Sequence, residues 1–497
     1  MSQSRASGRR FRVVIVGAGV AGVLAAIRLR ATGVTDVTVY EKSDRLGGTW
    51  QENTYPGVSC DVPSHLYSHS FAPNPNWSHV FSPGEEIRAY IEDVAGSHGI
   101  DEVIRYGTEV RRLTFADGVW DIELDSGECD QADVVIAATG VLHHPSYPDI
   151  DDLDRFGGSC FHTARWDHSV PLAGRRVGVV GTGSSAVQVV TAIVDQVSEL
   201  RLFQRTAQWV LQVPNPPIDD DERRRFDADP QAIADLRTHY AQIFENTFAD
   251  VVVDAGSPQL RVLEEICRAN LEQSVADPEL RERLRPDYRV ACKRLIVSPN
   301  FYEAVQHANA RVVTEPIVAA ERSGLRTADG TLHELDMLVL ATGFRVDRFL
   351  RPIEVVGRDG VSLDDVWAQR PSAYLGISIP RFPNLFLLNG PNGPVGNFSL
   401  IEVAELQVNY LLPLIDLLRT GERAEIAATA EAATRFETER VEAAKRTVWV
   451  TGCRSWYLDD RGIPAAWPWT FGRFREVMAE PDLDDFELVG ARARSVP

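Results

Sequence analysis

The chain has 497 residues, enough for two or three domains, and an ordinary globular balance of 44% hydrophobic and 25% charged residues. A net charge of −20 argues against nucleic acid or an anionic membrane as the main partner, since both demand a basic surface. No apolar run reaches the roughly 20 residues a membrane helix needs, and six scattered cysteines without a CxxC pair argue against structural zinc, a dithiol reductase and a disulfide framework.

Each of Cys60, Cys129, Cys160, Cys267, Cys292 and Cys453 is therefore expected to be a small packed side chain in a reducing cytoplasm. Arg9 and Arg10 ahead of an apolar run imitate a signal peptide. The run is better read as a strand, because Gly17, Gly19 and Gly22 interrupt it at meaningful spacing.

Phe11–Val16 is apolar and β-branched, the pattern of a buried parallel strand. A glycine-rich turn, a helix to about Thr32 and a strand at Val37–Tyr40 complete a βαβ unit. In the turn, Gly17-Ala18-Gly19-Val20-Ala21-Gly22 is GxGxxG: the glycines allow a tight turn and close approach of a pyrophosphate, and the helix N-terminus offers free N–H groups. Glu41 ends the next strand, 19 residues past Gly22, where an acid binds ribose hydroxyls. Gly47-Gly48-Thr49-Trp50 follows, a second glycine pair suited to a loop folded along FAD rather than NAD.

A second βαβ unit opens at Arg176, with a strand at Val177–Val180, a turn at Gly181–Ala186, a helix at Val187–Val197 and a strand at Leu200–Gln204. Its turn, Gly181-Thr182-Gly183-Ser184-Ser185-Ala186, is GxGxxA. Counting 19 residues on from Ala186, as from Gly22 to Glu41, gives Arg205. A guanidinium there can hold a 2′-phosphate by bidentate bonds, with Thr206 adding a hydroxyl, so the expected nucleotide is NADPH.

An internal echo, DVVIAATG at 133–140 and DMLVLATG at 336–343, follows an Asp-Gly hairpin turn in each case, Asp117-Gly118 and Asp329-Gly330. The fold class expected is α/β with two Rossmann-like domains, the second inserted in the first. The division places the first part of the FAD domain at 1–150, the NADP domain at 151–335 and the FAD return with the C-terminal region at 336–497. An acidic, Arg-rich helical excursion is expected at about 218–290, entered through the Pro-rich VPNPP at 213–217.

Between the two units lies Phe156-Gly157-Gly158-Ser159-Cys160-Phe161-His162-Thr163-Ala164-Arg165-Trp166-Asp167. This run resembles the FxGxxxHxxxW(P/D) fingerprint of type I Baeyer–Villiger monooxygenases; the related flavin-containing monooxygenases usually carry Tyr at the Trp position. Further stretches are similar to that family: Gly47–Trp50 with Tyr55-Pro56-Gly57, Cys60-Asp61 and Ser64-His65-Leu66-Tyr67; Phe203-Gln204-Arg205-Thr206; Cys292-Lys293-Arg294; Asp336–Phe344; and Phe382–Phe386 with Gly390-Pro391-Asn392. The resemblance covers about residues 11–475. Ala186 stands where many members have Gly, Leu295-Ile296-Val297-Ser298 replaces a Pro-rich continuation, and the Ser455-Trp456-Tyr457 and Ala466-Trp467-Pro468 stretches look like a subgroup nearer the flavin-containing enzymes.

The resemblance implies that NADPH reduces FAD and that O2 then gives a C4a-peroxyflavin, which attacks a ketone to yield an ester or lactone. Arg294 would stabilise the peroxide and the oxyanion, with Asp61 orienting it. Lys293, one of three lysines in the chain, would add a point charge for the 2′-phosphate. Further cofactor contacts are expected from Gly48, Thr49, Trp50, Tyr67, Val110, Ser184, Ser185 and Gln188. His162 and Trp166 are assigned to linker geometry rather than proton transfer. The substrate pocket is expected between Arg294, the loop Val395-Gly396-Asn397-Phe398-Ser399-Leu400 and the aromatic C-terminal segment, with Trp449, Trp456, Trp467 and Trp469 read as core. N- or S-oxygenation, or a catalytically silent FAD/NADP-binding protein, are the competing functions; no metal is expected.

Overall fold

The computed structural model describes residues 10–490 except Val395 and Asn397; Arg9 and those two loop residues, named above, lie outside the described residues. Two five-stranded parallel sheets organise the chain. The first runs, in spatial order, Leu385–Leu387, Val134–Ala137, Arg12–Val16, Asp36–Tyr40 and Ile104–Arg105. The second runs Ala310–Val313, Glu199–Phe203, Arg176–Val180, Met337–Leu340 and Ser159–His162. The central strands have essentially no exposure, as the continuous apolar runs require. Because Leu385–Leu387 pairs in register with Val135–Ala137, the chain returns to its first sheet after building the second.

The two echoed segments do the same job in different sheets. Asp133 accepts the N–H of Arg12 at 2.8 Å, and Asp336 accepts the N–H of Arg176 at 2.9 Å. Each carboxylate anchors the first residue of its sheet's central strand to the strand that follows. Met337–Leu340 pairs with both Val177–Val180 and Ser159–His162. This corrects the boundary drawn at 335: the strand just beyond it belongs to the second sheet, and the chain leaves that sheet after Leu340.

The excursion consists of helices Asp220–Ala228, Pro230–Phe244, Pro258–Ser274 and Pro278–Arg283, with one π-helical stretch at Glu245–Ala249. Asp219, Asp229, Ser257 and Asp277 cap them through side-chain oxygens, three of them followed by Pro at the first position. Its first half, with Phe226, Ala232 and Ile233, packs into the core of the first unit; its second half, with Leu260, Leu263 and Leu271, packs into that of the second. Among the described residues no helix is long and apolar enough to cross a membrane.

One expectation about the cysteines is overturned. Cys292 and Cys453 form a disulfide, with Cα atoms 6.1 Å apart across 161 residues of sequence. Cys60 and Cys267 are buried thiols as expected, but Cys129 and Cys160 are exposed. Spacing reveals a metal or redox motif formed locally; it does not reveal two half-cystines brought together by a return of the chain.

Candidate functional site

A cavity of about 1230 Å³ lies between the two sheets and is lined by both glycine-rich turns. In the first turn, Gly17 has φ +103, and a Cβ there would sit 2.7 Å from the Ala138 carbonyl oxygen. A Cβ on Gly22 would sit 1.9 Å from the Gly17 carbonyl, so the last glycine serves helix–strand packing and does not line the cavity. The Glu41 carboxylate accepts the N–H of Ala18 at 2.7 Å and of Ser43 at 2.9 Å, which fixes it beneath the turn with lone pairs left for a ligand. Gly48 abuts Gly19, and the Trp50 indole N–H donates to the Tyr67 hydroxyl at 3.2 Å.

The second turn is docked onto the first unit. Ser185 Oγ donates to Tyr55 Oη at 3.1 Å, Tyr55 Oη donates to Gln188 Oε1 at 2.8 Å, and Gln188 Nε2 donates to the Ser59 carbonyl at 3.0 Å. Gly57, at φ +83, lets the loop approach so closely that a Cβ would meet the Gln188 carbonyl oxygen at 2.6 Å. The Tyr-Pro-Gly stretch is thus a contact between the units.

Arg294 stands where the loop 59–62, the loop around Gly396 and the C-terminal segment meet. Its Nη2 donates to Asp61 Oδ2 at 2.6 Å and its Nη1 donates to the Gly396 carbonyl. The Tyr457 hydroxyl donates to the same carbonyl at 3.2 Å. Burial disfavours the guanidinium's charge, but Asp61 and Tyr457 more than offset this and hold its pKa above the ordinary arginine value. Burial also raises the Tyr457 phenol, against the pull of Arg294, so it stays a donor at neutral pH.

Similarity to known proteins follows the same plan. Residues 15–83 match the NAD(P)-binding Rossmann-like domain, and residues 70–346, more than half of the chain, match the L-lysine 6-monooxygenase/L-ornithine 5-monooxygenase family. An uncharacterised monooxygenase of Mycobacterium bovis is 44% identical over 99% of both chains. A Baeyer–Villiger monooxygenase of Streptomyces coelicolor is 40% identical over 97% of this chain and 95% of its own. The chain belongs to the Baeyer–Villiger monooxygenase family. Among solved structures, a steroid monooxygenase bound to NADP superposes with a TM-score of 0.86 at 30% identity, covering 97% of this chain and all of that one. A cyclohexanone monooxygenase from Rhodococcus bound to NADP+ superposes with the same score, identity and coverage.

In this member of the family, every residue expected to contact a cofactor or act in catalysis except Gly22 lines the cavity: Gly17, Gly19, Glu41, Gly48, Thr49, Trp50, Asp61, Tyr67, Val110, Gly181, Thr182, Gly183, Ser184, Ser185, Gln188, Arg205, Thr206, Lys293 and Arg294. Lys293 is close enough to Arg205 for the two cations to repel. Burial first and Arg205 second lower its pKa, while its Nζ rests 4.7 Å from the centroid of the Tyr288 ring. Two cations converging on one wall suit a doubly charged anion between them.

His162 ends the edge strand Ser159–His162 and reaches Gly343, just past the end of the neighbouring strand Met337–Leu340. Its Nε2 donates to the Gly343 carbonyl at 3.0 Å and its Nδ1 accepts the Ala164 N–H at 3.1 Å, a neutral tautomer that uses both nitrogens. Burial lowers its pKa. Trp166 packs edge-on against Phe161 and is absent from the cavity wall. The fingerprint glycines have steric reasons: a Cβ on Gly157 would meet the Arg322 carbonyl oxygen at 2.8 Å, and one on Gly158 the Asp336 carbonyl oxygen at 2.5 Å.

Of the four tryptophans read as core, Trp449 and Trp467 are fully buried and Trp469 packs against Trp467, but Trp456 is 41% exposed and lines the cavity. Tyr55, Gly396 and Tyr457 are the site residues that sequence reasoning did not single out by role. For Tyr55 the adjoining Pro-Gly was the available signal; for Tyr457 there was only its place in an aromatic cluster.

Proposed function

We propose that this chain binds FAD on its first glycine-rich turn and NADPH on its second, and inserts one atom of O2 beside the carbonyl of a ketone. The overall change is ketone + O2 + NADPH + H+ to ester or lactone + NADP+ + H2O. The observation that carries this reading is Arg294, held by Asp61 in the cavity between the two turns.

The residues present fit both nucleotides. Gly17 and Gly181 have φ of +103 and +117 and leave no room for side chains, Gly183 has open space where a Cβ would be, and Gly19 and Gly183 are N-caps of helices whose first turns carry no acid. Such helix starts present free N–H groups and positive dipole ends to a pyrophosphate. Glu41 takes ribose hydroxyls in the first unit; Arg205, Thr206 and Lys293 take the 2′-phosphate in the second.

Once bound and reduced, the flavin supplies the activation of O2. The rest falls to the chain. Arg294 carries a charge that does not titrate, so it favours negative charge on any oxygen within reach, including the carbonyl oxygen as it becomes tetrahedral. Asp61 aims the guanidinium, and the Gly396 carbonyl and Tyr457 limit its swing. Phe398, Leu400, Ile401 and Trp456 form an apolar wall that holds the ketone and excludes water. An oxyanion clamp of this kind serves a carbonyl; a soft amine or sulfide nucleophile has no use for it.

We place the reaction in the cytoplasm, where NADPH is available; a buried disulfide is shielded from exchange with cytoplasmic thiols. The test is purification with a flavin spectrum, then NADPH oxidation over a panel of ketones and sulfides with mass detection of products. Ketones gaining one oxygen as esters support the reading. Exclusive oxygenation of sulfides or amines, or NADPH consumption that no substrate stimulates, overturns it.

A further inference from the structure

Cys292 directly precedes Lys293 and Arg294, and Cys453 directly precedes Arg454, Ser455, Trp456 and Tyr457. The disulfide therefore joins the two segments that deliver Arg294 and Tyr457 to the same carbonyl. Neither segment is held by regular structure. Ala291 has φ +63, the short strand Ile296–Val297 begins only after Arg294, and 451–457 contains no helix or strand. Backbone bonds nearby are few: the Cys292 N–H donates to the Arg289 carbonyl at 3.1 Å and the Ile296 N–H to the Trp209 carbonyl at 3.2 Å. Arg294 thus depends for its aim on partners far away in sequence.

We propose that the Cys292–Cys453 disulfide is a positioning device for the reaction, locking the Tyr457 wall against Arg294 so that the guanidinium keeps its place in the cavity. This rests on the role given to Arg294 above. The tether lies in the core of the second unit, where Cys292 is 0% and Cys453 7% exposed, among Val448, Trp449 and Tyr457. Trp449 stacks on Tyr457 at 5.0 Å between ring centroids, so the crosslink and the ring stack restrain the same stretch. Without the crosslink, 453–457 would keep its aromatic contacts, the hydroxyl bond and backbone bonds at its far end, from the Ala465 N–H to the Tyr457 carbonyl at 2.7 Å and from the Leu458 N–H to the Ser455 carbonyl at 3.1 Å; neither of these backbone bonds reaches residues 292–294. Formation removes two electrons and two protons from the thiols; hydrogen peroxide accepts them, its O–O bond breaks, and two waters leave. Burial then slows exchange with a thiol, so the bond acts as a fixed brace.

The first test is thiol mapping of the native holoenzyme by alkylation under denaturing, non-reducing conditions. The expected result is alkylation at Cys60, Cys129, Cys160 and Cys267 and a crosslinked Cys292–Cys453 peptide; alkylation of all six cysteines after exposure to peroxide overturns the proposal. The second test is Cys453→Ser, with exposed Cys129→Ser as control. Cys453→Ser should retain flavin and substrate-independent NADPH oxidation, while ester formed per NADPH falls about 10-fold, since small misplacements of a catalytic group cost that much or more. A brace with a purely structural role would instead lower the melting temperature and flavin content and leave coupling intact in the folded fraction, which also overturns the proposal. If Cys453→Ser does not fold, a small phosphine applied to the wild-type enzyme replaces it: coupling must fall on reduction and return on reoxidation, and unchanged coupling is fatal to the idea. Arg294→Ala run in parallel separates the two claims. Ester formation surviving Arg294→Ala defeats the role of Arg294, whereas ester formation lost in Arg294→Ala but kept in Cys453→Ser defeats only the brace.

Discussion

Glu41 and Arg205 each stand 19 residues beyond the last small residue of a glycine-rich turn, and in the proposed function their opposite charges set the choice between a ribose hydroxyl and a phosphate. Replacing Arg205 by Ala should lower kcat/KM for NADPH about 10- to 100-fold, the value of a charge-assisted bond or two, and leave the value for NADH nearly unchanged. Parallel assays with the two nucleotides check this, and an undiminished preference for NADPH would contradict it. Lys293→Ala should act in the same direction, and the double variant should lose less than the sum because the two cations face one anion. These residues were legible because each lies at a fixed distance from a local motif. The meeting of Arg294 with the 395–400 loop and the aromatic C-terminal segment was legible from the family resemblance, but the particular contacts of Gly396 and Tyr457 were not, because no periodic pattern links residues so far apart in sequence. The cysteine pairing failed for the same reason.

At the scale of elements, the units meet through backbone approaches that only glycine permits. Gly57→Ala must both accommodate φ +83 and push a methyl against the Gln188 carbonyl, so it should destabilise the protein by about 1–3 kcal/mol, measured by denaturant unfolding. No change in midpoint would mean the loop and helix separate freely. His162 ties the edge strand Ser159–His162 to Gly343 through its Nε2–H, while its Nδ1, which must be unprotonated to accept, takes the Ala164 N–H. His162→Ala should keep bound flavin while raising peroxide released per NADPH, read by a peroxidase-coupled assay; unchanged coupling would remove the linker role. The echo DVVIAATG/DMLVLATG was visible in sequence because each Asp answers an identical need, an acceptor for the first N–H of a central strand. The same echo marks the exit from the second sheet near Gly343, but an apolar strand reads alike on either side of a boundary, and the division at 335 fell ahead of Met337–Leu340 rather than after it.

Across the whole molecule, the helical excursion packs into both cores and so makes the stability of one unit depend on the other. His65, buried against Phe226 of that excursion, is driven to about 4 by burial, and His143, just after the strand Val134–Ala137, to about 4 by burial with help from His144 and Lys42. Both are neutral in the fold but titrate near 6.5 when unfolded. Their contribution is present above about pH 6.5 and is lost as pH falls toward 4. Melting temperature should drop through that window, and His65→Leu should flatten the drop; an equal slope in the variant would contradict this. The proposed reaction makes one demand of the whole molecule, that Arg294 present its charge to a carbonyl in the cavity. The direct measurement is ester yield per NADPH in Arg294→Ala: the account predicts bound flavin, continued NADPH oxidation, and an ester-forming rate lower by about 10²–10³, with peroxide in its place. Ester formation at the wild-type rate would contradict it.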